Sequence, residues 1–302
     1  MASLNTKHTG EQIREELMAA RSFPGQLRVL PATDPDTLER CNSRELRARF
    51  LIDSLFQPEC LQLVYSDQDR LIVGSAVPGA DTITLDVSRA LRAAYFTERR
   101  ELGVINLGGP GLIEVEGTPY ELPGRDGLYI GRGNPSVSFA SQNSRDPAAF
   151  YIVSYPAHVS YPVTVIRQRD AERLQLGDAA TANRRNLYKY IHPAGVRSCQ
   201  LVMGLTELMT GSVWNTMPVH THQRRSEIYL YFDLPEKAVV LHCLGLPGET
   251  RHLMVRNRQA VLSPSWSIHA GAGTSNYSFV WAMGGENQDF SDQDPVAMED
   301  LA

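Results

Sequence analysis

The chain has 302 residues, 42% of them hydrophobic and 21% charged, with a formal net charge of -5 and a pI near 5.9. That length can bury a full core and hold two units of roughly 100 to 150 residues, and the acidic balance carries no electrostatic footprint for nucleic acid. No apolar run approaches the roughly 18 to 20 residues that would span a bilayer, and the N-terminus lacks a signal-peptide core, so a cytoplasmic chain with no membrane partner is expected.

Residues 1–25 form a polar arm in which 11–20 has helical composition. Thr37 to Phe50 is a second helical candidate, with Leu38, Leu46 and Phe50 on one side among many charges. From Leu61 the texture changes to short apolar runs separated by Gly and Pro. The runs 71–78, 102–107, 111–115, 127–130, 137–140 and 150–153 read as strands, with a brief helix at 88–95. Short strands at nearly regular spacing indicate an antiparallel sandwich or barrel. A polar, turn-prone segment, 157–186, then separates this half from a second with the same texture: strands at 199–205, 227–232, 238–243, 251–255, 260–263 and 279–283. The expected division is 26–165 and 166–302. Laying the halves over each other sets the Glu101 region against the Glu227 region, with Glu101 over Glu227 and the later histidines meeting Ala94 and Phe96. A duplicated barrel with one metal-bearing copy follows as the economical reading. Four scattered cysteines, Cys41, Cys60, Cys199 and Cys243, make no C-x-x-C pair and read as buried thiols.

The chemistry-bearing stretch is His220-Thr221-His222-Gln223-Arg224-Arg225-Ser226-Glu227, joined by His269. Residues two apart on a strand share a face, so His220 and His222 project together. A turn through 223–226 would return the chain as an antiparallel hairpin with Glu227 beside them, and His269 would arrive from a distant strand. Three imidazoles and a carboxylate suit zinc, manganese, iron or nickel and leave positions open for substrate. His242 and His252 read as hydrogen-bonded sheet residues. Arg184, Arg185 and Lys189 offer cations for an acidic ligand, since a guanidinium grips a carboxylate through two parallel hydrogen bonds. Trp214, Trp266, Trp281, Tyr229 and Tyr231 could line a sugar pocket, although aromatics in a β-barrel mostly form core. Glu207, Tyr231 and Glu286 are candidates for proton transfer by residue type.

These strings carry a family resemblance. His-x-His-x4-Glu with a distant His between short strands resembles the cupin superfamily, and the two strand-rich halves resemble a bicupin. More narrowly, Tyr95 with 98–106, Ser198 to Leu208, Trp214 to His222, Ser263 to His269 and Gly285 to Gln288 resemble the 5-keto-4-deoxyuronate isomerase family of pectin breakdown, from about Val64 to the C-terminus. The resemblance implies an all-β bicupin of two antiparallel jelly-roll barrels with a few short peripheral helices. It implies a ketol-isomerase that converts 4-deoxy-L-threo-5-hexosulose uronate to 3-deoxy-D-glycero-2,5-hexodiulosonate. One zinc per subunit, held by His220, His222, Glu227 and His269, and a homohexamer are also implied. Arg184, Lys189 and Trp281 are the substrate-contact candidates. A metal-dependent cupin oxygenase and a noncatalytic sugar-binding bicupin are the competing readings.

Overall fold

The computed structural model describes residues 27–302. The arm at 1–25 and its expected helix lie outside the described residues. Short strands dominate, as the runs of β-branched and aromatic residues require. One seven-stranded sheet has the order Arg28–Leu30, Leu61–Ser66, Ile72–Ala76, Phe150–Pro156, Arg100–Asn106, Gly127–Ile130, Thr164–Ile166. A second has the order Glu172–Leu176, Arg185–Ile191, Val202–Leu208, Ser278–Gly285, Arg225–Phe232, Gln259–Ser263, Leu51–Ile52.

Each large sheet is matched by a four-stranded one. Ile83–Thr84, Val137–Ser141, Gly111–Val115 and Thr118–Leu122 serve the first; Trp214–Asn215, Ile268–Gly273, Val240–Leu246 and Glu249–Val255 serve the second. Strands of equal rank in the two halves occupy equal places, which is the order expected of duplicated jelly-roll barrels. The exception is the last place in each large sheet. Thr164–Ile166 fills the first, whereas Leu51–Ile52 leaves the N-terminal half to pair with Gln259–Ser263 in the second. The two helices ahead of Leu51 follow it, packing Leu38, Leu46 and Phe50 into the C-terminal barrel core.

The expected helix at 37–50 divides in two, Pro35–Glu39 and Ser43–Phe50. The cause is local. Asn42 adopts an extended conformation and caps the second helix through its side chain, while Glu45 Oε2 accepts from the Asn42 N–H at 3.0 Å. That reciprocal capping box starts a helix where one was expected to continue. The segment 157–186 is also more structured than a connector, for it contains Thr164–Ile166 and Glu172–Leu176. No helix among the described residues is long and apolar enough to cross a membrane.

Three large apolar clusters, with a smaller one around Val219, Ile268 and Ala270, hold the described residues together. One fills the N-terminal barrel around Leu102, Val104, Ile113, Phe139 and Phe150, and one the C-terminal barrel around Val240, Leu244, Tyr277 and Phe279. The third joins the large sheets of both halves through Ile105, Tyr151, Val153, Leu205, Ile228 and Val280. Each fully buried side chain of this kind contributes roughly 1.5–3 kcal/mol. Alternation along one strand therefore decides which residues face the inter-barrel layer and which face a barrel interior.

That alternation corrects the overlay of Glu101 on Glu227. Leu102 and Val104 line the N-terminal barrel, so Glu101 faces the other way, toward the second half. In Arg225–Phe232 it is Ile228 and Leu230 that face the inter-barrel layer and Glu227, Tyr229 and Tyr231 that face inward. By face, Glu101 corresponds to Ser226, because a one-residue slip reverses every side chain in a strand. The Glu101 carboxylate ties the two halves together instead, accepting from Tyr129 Oη at 2.8 Å and from the backbone N–H groups of Cys199, Gln200 and Leu201 at 2.7, 2.9 and 2.9 Å.

Candidate metal centre

Glu227 reaches the interior of the C-terminal barrel because its strand sits in the middle of the large sheet, with Ser263 opposite on one side and Met283 on the other. His269 comes from the facing four-stranded sheet, on Ile268–Gly273. His220 and His222 arrive from the segment preceding Arg225. The expected hairpin between these histidines and Glu227 does not form as a ladder. Glu227 is already paired on both flanks, so there is no free edge beside it, and His220–Thr221 pairs instead with Asp294–Pro295 near the C-terminus. The turn at 223–224 still delivers the histidines to the glutamate.

The four potential ligand atoms lie within 4.8 Å of one another. His220 Nε2 is 3.1 Å from His222 Nε2, and Glu227 Oε2 is 2.9 Å from His269 Nε2 and 3.4 Å from His222 Nε2. His222, Glu227 and His269 are buried. Burial, reinforced by the neighbouring His269, pushes the His220 imidazole down to about 3. Burial alone would raise the Glu227 carboxyl, but His269 and His222 outweigh it and hold the group below the usual carboxylate range.

These features fit a divalent cation. His222 Nδ1 contacts the Asp292 carbonyl oxygen, which can only accept, so Nδ1 carries the hydrogen and Nε2 turns its lone pair inward. His269 Nε2 is buried without a hydrogen-bond partner although a carboxylate oxygen lies beside it. Nitrogen lone pairs converging on one carboxylate repel one another unless a positive charge sits among them. Nothing else among the described residues forms a group of three or more metal-ligating side chains.

A second layer supports the first. Arg225, 1% exposed, donates from Nη2 to the Asp292 carbonyl at 3.3 Å and from Nη1 to Asn287 Oδ1 at 3.4 Å. Asn287 Nδ2 in turn donates to Asp292 Oδ2 at 2.6 Å. The segment 287–292 therefore orients His222. Spacing gives no sign of this, since Asp292 acts through its backbone, although Asn287 lies in one of the strings that carry the family resemblance.

The other sequence candidates divide by face. Glu207 points into the inter-barrel layer, paired with Arg125 and accepting from Gln168 Nε2 at 2.9 Å. Glu286 is exposed, with Arg224 at 3.8 Å. Lys189 is engaged by Glu172 at 2.9 Å and lies 4.8 Å from the Phe290 ring centroid, and Arg184 is exposed. Trp281 is packed in the barrel core with its indole N–H donating to Thr206 Oγ1 at 3.1 Å. Tyr231 alone of the three proton-transfer candidates shares the inward face with Glu227. His252 is exposed, whereas His242 faces inward and meets Tyr231 Oη at 2.7 Å. Arg185, alternating with Arg184, is half-buried opposite Leu208 and donates from Nη1 to the Asn183 carbonyl at 2.9 Å, and burial lowers its guanidinium below the usual value. Tyr229 packs edge-on against His269 at 5.4 Å and joins Thr216 Oγ1 at 3.0 Å.

Comparison with known proteins covers nearly all of this architecture. The model of the KduI/IolB family matches residues 53–299. The 4-deoxy-L-threo-5-hexosulose-uronate ketol-isomerase of Lachnoclostridium phytofermentans is 52% identical over 270 residues, 89% of this chain and 98% of that protein. The protein of the same name from Shouchella clausii is 51% identical over 267 residues, 88% of this chain and 97% of its own length. Among solved structures, an IolB-like protein from Salmonella typhimurium superposes with a TM-score of 0.66 at 14% identity, covering 80% of this chain and 94% of that one, a likeness of fold.

Proposed function

The chain belongs to the KduI/IolB family, and from that premise we infer that it is a ketol-isomerase converting 4-deoxy-L-threo-5-hexosulose uronate to 3-deoxy-D-glycero-2,5-hexodiulosonate in polyuronate breakdown. Identity of about half along nearly the whole of relatives bearing that activity's name supports the reaction. The convergence of His220, His222, Glu227 and His269 inside the second proposed unit, 166–302, is the observation that carries the chemistry. Zinc, one ion per subunit, is the metal this reading assigns. When bound there, a divalent cation supplies a Lewis acid that polarises a substrate carbonyl and stabilises negative charge on its oxygen.

The reaction moves a carbonyl from C1 to C2. A proton leaves C2 and a proton reaches C1, unless hydrogen passes directly between the carbons. The protein's part is to hold the sugar chain with both carbons at the centre and to exclude water. His222 is fixed by Asp292, and His269 by Tyr229. For the substrate carboxylate we favour Arg185 over Arg184 and Lys189, because it is half-buried on the face of the core residue Leu208, while Arg184 is exposed and Lys189 already has an acidic partner. Family resemblance further supports a cytoplasmic protein and a homohexamer, and sedimentation of the purified protein checks the hexamer.

Metal analysis of the purified protein beside an isomerisation assay, repeated on His220→Ala and His222→Ala, tests the reading. Bound zinc and anaerobic turnover, both lost in the variants, are expected. Iron with dioxygen-dependent turnover would point to a cupin oxygenase, and metal binding without turnover to a sugar-binding bicupin. Deuterium placed at substrate C2 should wash partly into water for proton transfer through an enediolate; full intramolecular retention would count strongly against that route and favour a hydride shift.

A further inference from the structure

Deeper in the C-terminal barrel lies a second polar group that the metal site does not use. Asn215, Gly271 and His242 stand side by side on three adjacent strands, with Gly271 opposite Asn215 on one side and His242 on the other. Asn215 and His242 are each 0% exposed. Tyr231 and Tyr277 complete the group. Tyr229 connects it to the metal ligands, touching His269 with ring centroids 5.4 Å apart and His242 at 6.0 Å.

The hydrogens of this group can be assigned in order. Tyr277 Oη donates to the Gly271 carbonyl, an obligate acceptor, at 3.1 Å. Its oxygen then accepts from Asn215 Nδ2 at 2.7 Å. Among the described residues Tyr231 Oη hydrogen-bonds only His242 Nδ1, at 2.7 Å, so the phenol hydrogen is directed there. A neutral imidazole accepting at Nδ1 carries its hydrogen on Nε2. Burial pushes the His242 imidazole down to about 3 and the Tyr231 phenol well up, so both remain neutral through the physiological range. Two atoms are left over: His242 Nε2 and Asn215 Oδ1 are buried with no hydrogen-bond partner. An unpaired buried donor or acceptor costs about 1–3 kcal/mol, and here one of each stands in the same barrel interior.

We propose that His242 Nε2–H and Asn215 Oδ1 form a substrate subsite, a donor and an acceptor for the oxygens of the sugar chain, in which His242 acts as a neutral hydrogen-bond donor to the oxygen that gains negative charge. The proposal rests on the isomerase reading. His242 gives no proton away in this role. Its N–H strengthens a hydrogen bond as charge develops, and Tyr231 is the positioning residue that fixes the donating tautomer. Gly271 is required for the arrangement, since a Cβ there would stand 2.7 Å from Asn215 Nδ2 and 2.8 Å from Tyr231 Oη.

The test uses the metal-loaded full chain with the hexosulose uronate. His242→Leu should lower kcat by about 100-fold or more, the scale on which a single donor to a developing oxyanion acts, with bound metal unchanged. His242→Gln, which retains an amide donor, should recover much of that loss. Nitrogen-15 NMR of histidine-labelled wild type, which depends on no variant folding, should show a neutral Nε2–H tautomer for His242, and Tyr231→Phe should shift it toward Nδ1–H. Wild-type kcat in a metal-replete His242→Leu, equal losses in the Leu and Gln variants, or an Nδ1–H tautomer in the wild type would each overturn the proposal. Wild-type protein with no isomerase activity would instead overturn the underlying reading, and this role with it.

Discussion

Replacing Glu101 by alanine separates the two carboxylates that primary sequence places in similar strings. The Glu101 side chain is 0% exposed and accepts four hydrogen bonds, three of them from backbone N–H groups at 199–201 in the opposite half. Tyr129 and Leu201 are fully buried, so their donors would be stranded, while Cys199 and Gln200 are partly exposed and can recruit water. Two stranded donors at about 1–3 kcal/mol each, with the loss of charge-assisted bonds at the other two, give a destabilisation of about 4 kcal/mol. Denaturant unfolding of the metal-loaded protein, followed by tryptophan fluorescence and far-ultraviolet circular dichroism, measures it. Metal content of the folded fraction should remain at wild-type level, because Glu101 faces away from both barrel interiors. A loss below about 1 kcal/mol, or a folded Glu101→Ala that no longer binds metal, would refute the face assignment. Glu227→Ala should do the reverse, abolishing metal retention.

Arg225→Met should weaken metal binding by about 10- to 100-fold by freeing Asp292 and hence His222, as measured by chelator competition on the apo protein. Arg185→Met should raise KM for the uronate by roughly 10-fold or more, on the scale of one lost charge-assisted contact, with metal content constant; steady-state kinetics decide. Gly271→Ala should cost about 1–3 kcal/mol through overpacking against Asn215 and Tyr231, read by thermal unfolding. The folded-state value of His242 is depressed, so the unfolded chain binds the extra proton and stability falls as pH drops below about 6.5 toward 3. Between pH 7.5 and 5.5 the chelated wild type should therefore lose about 1.4 kcal/mol more than His242→Gln, and equal losses in urea titrations would contradict the assignment.

Much of the architecture can be read from sequence because its signals are local. Short β-rich runs between Gly and Pro identify an all-β chain, and the i, i+2 spacing of His220 and His222 places both on one side of an extended segment. The helical stretch around 37–50 is legible, and its break has a sequence signal too, Asn42 followed three residues later by Glu45, although only the structure shows both capping-box hydrogen bonds formed.

Face and partnership belong to a different level. Glu101 and Glu227 sit in similar strings, and a shift of one residue in register sends one to the inter-barrel layer and the other to the candidate metal centre. Glu207, Glu286 and Tyr231 are equivalent by residue type, and only burial and strand parity leave Tyr231 inside. Asp292 reaches His222 through a backbone carbonyl that any residue would supply. The sequence by itself determined the residue types of the candidate metal shell and the strand-rich repeat, since these lie in composition and short-range spacing, and its longer strings carry the family resemblance. Tertiary structure alone decided that Leu51–Ile52 completes the other half's sheet, that the Asp292 carbonyl holds His222, and that His242 stands across Gly271 from Asn215 with an unpaired nitrogen. These contacts join residues far apart in the chain, and their energies depend on which face of a sheet each one occupies.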